Sequence, residues 1–278
     1  MTHAIMTAAI AALAPEPSPA SEPAKIALSG IGKRFSRDKE ATEFEVLKDI
    51  DLTASEGEFI SIVGPSGCGK STILKLISGL MRPSSGHVMV DGQTVTESPV
   101  GVGFMFQSDA LLPWATVSEN IAIGIDLGNA GQEDRQGRIS ALIRLVGLQG
   151  FEHAYPASLS GGMKQRVALA RTLAYEPSVF LMDEPFGALD AQTKIILGRE
   201  FLRIWSEHRK TVLFVTHDIV EAITMADRVI VMSRGPGKII ADFSIDLERP
   251  RDFVQTRATR EFAEIYEKVW GKLMAGTR

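Results

Sequence analysis

The chain has 278 residues, 45% of them apolar, which is enough for one large domain or two modest ones. Its net charge of −4 leaves no electrostatic footprint for nucleic acid. A single cysteine, Cys68, forbids an internal disulfide and suits a reducing compartment, and no apolar run reaches the roughly 18 residues needed to cross a bilayer.

In chain order, Ala4 to Ala14 is apolar, but no Lys or Arg precedes it, so the charged start of a signal peptide is missing. Pro15–Ala24 is rich in Pro, Ala and Ser, and residues 1–24 together read as a flexible extension. Lys25–Ile31 and Phe44–Ala54 read as strands, the second with alternating Phe44, Val46, Ile50 and Leu52. Phe59–Val63 is a short, wholly apolar run, the signature of a parallel strand buried on both faces.

That strand ends in Gly64-Pro-Ser-Gly-Cys-Gly-Lys-Ser71, after which Ile73, Leu74, Ile77 and Leu80 fall at helical spacing. Strand, glycine-rich turn and helix start aim backbone N–H groups and a positive dipole end at one point, a phosphate site. Gly64, Gly67 and Gly69 allow close backbone approach, Lys70 reaches the β- and γ-phosphates, and the Ser71 hydroxyl offers a ligand to Mg²⁺. Pro65, Ser66, Cys68 and Thr72 complete the candidate nucleotide-binding loop. Cys68 lies near a helix start that can lower a thiol pKa. No motif gives it a catalytic part, and it reads as a small residue tolerated in the loop. Its location there still leads us to expect that a bulky thiol reagent blocks nucleotide binding.

His87–Val90 reads as a strand entering a tight turn at Asp91-Gly92. Leu111, Leu112, Pro113 and Trp114 form a compact apolar cluster whose residues fit burial and surface anchoring equally. From Val117 to about Leu173 the pattern is helical, with Ile139, Leu142, Ile143 and Val146 on one apolar face. Within that stretch Ser160, Gly161 and Gly162 make a second anion cradle that opens into a helix. Two such cradles imply that two chains share each nucleotide.

Val179–Met182 reads as another central strand, ending in Asp183 and Glu184 and closed by Pro185. Alternation along an extended chain turns the two carboxylates in different directions, one for Mg²⁺ and one for the attacking water as general base. Thr211–Thr216 and Arg228–Met232 return to strands. Strands alternating with helices indicate an α/β sheet with its ligand at the carboxyl ends of the strands and a helical subdomain inserted after Gln107. Beyond Pro250, the stripe Ala258, Phe262, Ile265, Val269 and Leu273 predicts a terminal helix packed on the main domain.

These motifs, in this order, make residues 26–245 resemble the ATP-binding-cassette (ABC) ATPases. The resemblance implies an α/β fold: a P-loop ATPase core with a mainly parallel sheet, an antiparallel β subdomain and an inserted helical subdomain. The corresponding boundaries are an ATPase domain at 25–250, with its helical part at about 108–173, and a C-terminal helix at 251–278. It implies that Phe35 stacks on adenine, that Gln107 senses Mg²⁺ and the γ-phosphate side, and that His217 contacts the γ-phosphate. Asp183 then serves the metal and Glu184 the water, with Lys70 and His217 stabilising charge on the transferred phosphoryl group. Ser160–Gly162 match the signature that caps the nucleotide of the other subunit. Gly187-Ala-Leu-Asp190 matches the loop that crosses the dimer interface, with glycine where many relatives carry serine.

The segments Gln107–Val117, Ser233–Ile240 and Leu247–Asp252 look like those of the nitrate, sulfonate and taurine importer ATPases. Such a subunit uses ATP and Mg²⁺, pairs as a homodimer, and works with two integral-membrane permease subunits and an external solute-binding protein, without nucleic acid. It sits peripherally on the cytoplasmic face of the inner membrane, and a permease's coupling helix docks near Leu111–Trp114. The alternatives are an ABC ATPase of a lipoprotein- or cell-division-type membrane complex, or a soluble cassette without a transport role. Soluble relatives in DNA repair carry long coiled-coil or zinc insertions, which this sequence lacks.

Overall fold

Side-chain alternation on a few central strands organises the molecule. In a computed structural model that describes residues 24–37, 42–128 and 134–276, Phe59 and Val63 of β3 (Phe59–Val63) face one hydrophobic cluster, while Ile60 and Ile62 face another. β7 (Val179–Asp183) and β8 (Thr211–Val215) divide in the same way: Phe180, Met182, Val212 and Phe214 go to the first cluster, and Val179, Leu181, Leu213 and Val215 to the second. Burial on both faces is why these strands read as continuous apolar runs.

The second cluster is closed by α1 (Lys70–Ile77) and by a four-stranded antiparallel sheet. That sheet pairs β1 (Ile26–Arg37) with β2 (Thr42–Ala54) and with β4 (Ser85–Val90), and β4 with the short β5 (Gln93–Thr94). The main sheet has the order β10-β9-β3-β8-β7-β6, where β6 is Val102–Met105, β9 is Arg228–Met232 and β10 is Ile239–Ser244. All its neighbours pair in parallel except β10, which runs antiparallel to β9.

Between β6 and β7 lie α2 (Val117–Leu127), α3 (Arg135–Leu145) and α4 (Gly161–Ala174). Thr116 starts α2 with a reciprocal capping box to Glu119, which satisfies the first orphan N–H groups. α5 (Ala191–His208) follows β7, and α6 (Ile219–Met225) follows β8. α7 (Arg260–Gly276) buries Phe262 and Val269 against the first cluster, with Ile265 and Leu273 partly buried beside them.

Two joints hold the C-terminal part. Arg251 is buried and donates to the carbonyls of Ile223, Ala226, Ile245 and Leu247, which ties its segment to the end of α6 and to the chain after β10. Burial lowers its pKa to about 10, with Arg249 adding to the effect. Phe253 packs over Gly198 of α5, where a side chain would run into its ring.

Several expectations change in detail. β1 continues past Ile31 and carries Phe35. α1 ends at Ile77, so Leu80 is exposed outside it. Ala258 lies in a separate turn before α7 and is exposed rather than part of the buried stripe. The expected extension at residues 1–24 lies outside the described residues apart from Ala24.

Candidate active site

The loop after β3 keeps its shape through its own backbone and the core beneath it. Gly67 has φ +78 with open space around its Cα, and Gly69 has φ +100 where a Cβ would meet Leu47 and Val46 of β2. Gly67 therefore supplies conformation and access, and Gly69 also answers to packing. Lys70, buried, donates to the carbonyls of Gly64 at 2.8 Å and Pro65 at 3.1 Å. Ser66 and Gly67 are exposed at the rim, while Pro65, Ser71 and Thr72 are half-buried.

Cys68 departs from expectation. Its side chain is 1% exposed and belongs to the second hydrophobic cluster, and the Cβ position of Gly64 is 2.9 Å from its sulfur. Burial pushes the thiol pKa up, and the Lys70 charge opposes this only in part. The helix start does not prevail, because the sulfur points into apolar packing rather than toward the phosphate side.

Asp183 and Glu184 part as alternation requires. Asp183 accepts from the Ser71 hydroxyl at 2.9 Å, and burial pushes its pKa up, opposed by that hydrogen bond. A hydroxyl and a carboxylate suit a small hard cation that takes its remaining ligands from phosphate and water. Among the described residues no group of three or more His, Cys, Asp and Glu side chains could hold a metal alone.

Glu184 has φ +50, in the left-handed region that a non-glycine residue rarely enters. Its N–H donates to Val215 O at 2.9 Å, and its carbonyl accepts from Gly187 N–H at 3.0 Å and from Gln165 Nε2 at 2.8 Å. The carboxylate then lies 3.4 Å from both Gln107 Nε2 and His217 Nδ1. The structure thus brings Glu184, Gln107 and His217 together at the carboxyl edge of the sheet. Such a conformation persists only where surrounding bonds hold it, as those of Val215, Gly187 and Gln165 do here.

His217 is itself exposed, on a turn wired from behind. The Thr216 hydroxyl donates to Glu221 at 2.6 Å and accepts from Asp218 N–H at 3.0 Å, while Lys194 of α5 pairs with Glu221 at 2.8 Å. Burial raises the Glu221 pKa against these partners. No motif or local pattern in the sequence singles out Glu221 or Lys194 for this bracing.

Other candidates stand apart from this cluster. Ser160 caps α4 by accepting from Met163 N–H at 3.3 Å, and Gly161 is exposed. Gly162 borders the carbonyl of Ala188, 3.2 Å from where a Cβ would sit. Among the described residues no hydrogen bond or ion pair joins Ser160, Gly161 or Gly162 to the phosphate loop. Asp190 caps α5, accepting from Thr193 N–H and hydroxyl at 3.0 and 2.6 Å, bonds that hold its pKa down. Phe35 stacks on its cross-strand partner Phe44 at 5.8 Å, with the Lys33 ammonium 5.1 Å from its centroid.

Beyond Gln107 the chain is braced in the open. Arg171 donates to the carbonyls of Asp109 and Ala110, and buried Asn120 bonds the backbone of Leu112, Ala115 and Thr116. Trp114 is 73% exposed on this braced loop, which excludes its burial in the helical part. A groove of about 370 Å³, lined by Phe104, Phe106, Leu112, Ile123, Leu127 and Arg171, opens in the same region.

A buried parallel strand, a glycine-rich loop and a helix, with Asp183 against the loop hydroxyl and Glu184 beside Gln107 and His217, give the fold of a P-loop nucleoside triphosphatase. The ABC transporter family profile matches residues 47–187. An ABC transporter ATP-binding protein of Methanocaldococcus jannaschii is 48% identical over 225 residues, covering 81% of this chain and 83% of the relative. An aliphatic sulfonates import ATP-binding protein of Bacillus cereus is 42% identical over 244 residues, covering 88% and 94%. An ATP-binding cassette solved as a dimer in a post-hydrolysis state with ADP and Pi superimposes with TM-score 0.72 and 32% identity, covering 80% of this chain and 100% of that one.

The chain belongs to the ABC transporter family. It is a nucleotide-binding ATPase whose hydrolysis is coupled to transport, and it resembles the ATPases of importers. No helix among the described residues is long and apolar enough to cross a membrane.

The placement of Cys68 gives a reactivity test. With its pKa raised, the thiolate is scarce at neutral pH, so iodoacetamide should modify the native protein far more slowly than the denatured one. The native rate should climb as pH rises from 7 to 9. Rapid native modification at pH 7 that abolishes nucleotide binding would instead put the thiol at the phosphate surface.

Proposed function

We propose that this chain is the energy-coupling subunit of an importer for a small anionic or zwitterionic solute of the sulfonate, taurine or nitrate type. It acts as a homodimer against two permease subunits served by an external solute-binding protein, peripherally on the cytoplasmic face of the membrane. The observation that carries the coupling role is Trp114, 73% exposed on a loop braced by Arg171 and Asn120 beside an apolar groove. An exposed aromatic on a braced loop, two residues from Leu112, which lines an apolar groove, suits the docking of a partner helix. Identity of 42% to an aliphatic sulfonates import protein supports the solute class.

In the hydrolytic step, Glu184 takes the proton of the attacking water, and His217 and Lys70 stabilise charge on the phosphoryl group. Ser71 and Asp183, with Gln107, would hold Mg²⁺, which neutralises phosphate charge. Phe35 supports the adenine, and the loop from Gly64 to Thr72 cradles the phosphates. Ser160–Gly162 of the second copy cap the same nucleotide, and Gly187–Asp190 cross the interface. ATP therefore favours the closed dimer, hydrolysis removes that bias, and Gln107 passes the change to the braced loop and the permeases.

Two variants test these assignments. Glu184→Gln should keep ATP binding, lose turnover by roughly 10²–10⁴-fold, and accumulate a closed ATP-bound dimer detectable by light scattering. Near-normal hydrolysis would remove Glu184 from the role of base. Trp114→Ala should weaken permease association and lower uptake more than it lowers the ATPase activity of the isolated subunit. Because the side chain is exposed, its stability should stay within about 0.5 kcal/mol. Undiminished permease binding and uptake would defeat the docking assignment.

A further inference from the structure

Gln165 lies one turn into α4, on the stripe 165, 168 and 172 that this helix buries. Its side chain is turned to the Glu184–Ala188 turn and uses both ends of its amide. Nε2 donates to the Glu184 carbonyl at 2.8 Å, and Oε1 accepts from the Ala188 N–H at 2.8 Å. Facing one carbonyl and one N–H across a buried gap, a glutamine satisfies both at once. A carboxylate would set an oxygen against the Glu184 carbonyl, and an aliphatic chain would serve neither group.

The turn it grips needs holding. Glu184 sits at φ +50, and its other backbone bonds come from β8 through Val215 and from its own turn through Gly187. Gln165 is the one anchor in this set that comes from a helix. The same helix starts at Ser160–Gly162, and Gly162 packs against the carbonyl of Ala188, the residue whose N–H Gln165 holds. The first two turns of α4 therefore touch the Glu184–Ala188 turn at two points, so the turn cannot keep its place if α4 shifts.

We propose that Gln165 is a positioning residue that fixes the left-handed backbone of Glu184 and thereby makes the aim of its carboxylate depend on the seating of α4. The proposal rests on the reading of Glu184 as general base and of Ser160–Gly162 as the turn that caps the partner's nucleotide. On that reading, closure of the dimer onto the Ser160–Gly162 turn of one chain steadies the Glu184 of that same chain. Each subunit's base is then set by whether the other subunit's nucleotide is present.

Gln165→Leu keeps the volume and removes both hydrogen bonds. It should lower kcat by about 10²-fold, the scale of a misplaced reacting group, with KM for ATP and the affinity for a fluorescent ATP analogue unchanged. Gln165→Glu, which retains the acceptor for Ala188 N–H, should also lose kcat because it lacks the donor to Glu184. It provides a second folded variant if Leu disturbs α4. In a Glu184→Gln background, Gln165→Leu should add no further loss, and the ATP-bound dimer should still form.

Wild-type kcat in both Gln165 variants would overturn the proposal, as would losses that multiply with that of Glu184→Gln. Failure of the double variant to close with ATP where Glu184→Gln alone closes would assign Gln165 to dimer assembly instead, and also overturn it. Full turnover by Glu184→Gln would remove the base assignment and this proposal with it. Lost turnover in Glu184→Gln beside unaffected Gln165 variants would remove the proposal alone.

Discussion

The site depends on the parallel register of four neighbouring strands. Met105 pairs with Met182, Met182 with Phe214, and Phe214 with Ser61, so these residues form one row across β6, β7, β8 and β3. Two residues beyond that row stand Gln107, Glu184, Thr216 and Val63, with His217 and Gly64 one residue further. A slip of one residue in any pairing would turn its side chains to the opposite face and exchange the two hydrophobic clusters. The demand that both faces be buried is thus what aligns the groups proposed for catalysis. Chemistry at the sheet edge follows from packing in its middle.

Packing does not finish the site, because the groups at the strand ends leave regular structure. Glu184 adopts a backbone conformation that a strand would not give it, and Thr216, just past the end of β8, sits in a turn closed through Glu221 and Lys194. Both are held by bonds from the helices that follow or flank them, α4 at Glu184 and α5 with α6 at Thr216. Net hydrogen-bond contributions of roughly 1 kcal/mol each are small, but a buried polar group left without its partner is penalised more heavily, so each bond specifies geometry beyond its own energy. The phosphate loop needs less outside help, since its turn, its lysine and the core under Cys68 hold it from within.

The sequence made the central strands and the phosphate loop legible because continuous apolar runs and a glycine-rich turn carry local signals. β6 carries a weak signal, as Gly103 interrupts a strand of only four residues. The edge strand β10 mixes Ile239, Ile240, Ala241 and Phe243 with exposed Asp242 and Ser244, so neither a continuous run nor strict alternation marks it. Strand-end placement and alternation point to Asp183 and Glu184, family resemblance points to Gln107 and His217, and the structure brings Gln107 and His217 to the Glu184 carboxylate. Gln165 follows Ser160–Gly162 by three residues, and only its position on a buried helical stripe distinguishes it from a solvated glutamine. For Cys68, proximity to a helix start does not show which way a short side chain points, and here it points into the second cluster. The place of Trp114 is set by the backbone beneath it, since a small aromatic cluster serves a core or a surface equally well.

The nucleotide site divided between two chains is the claim on which coupling rests. It can be tested by mixing two variants, each in a Glu184→Gln background so that bound ATP is retained rather than hydrolysed. One variant carries Lys70→Met, which disables its phosphate loop, and the other carries Ser160→Arg, which obstructs its signature turn. A mixed dimer then contains one complete site, made from the loop of one chain and the signature of the other, while either variant alone contains none. ATP retention measured on a rapid desalting column should appear only on mixing, at no more than one nucleotide per pair of chains. Retention by the Ser160→Arg variant alone, or none in the mixture, would contradict a shared site.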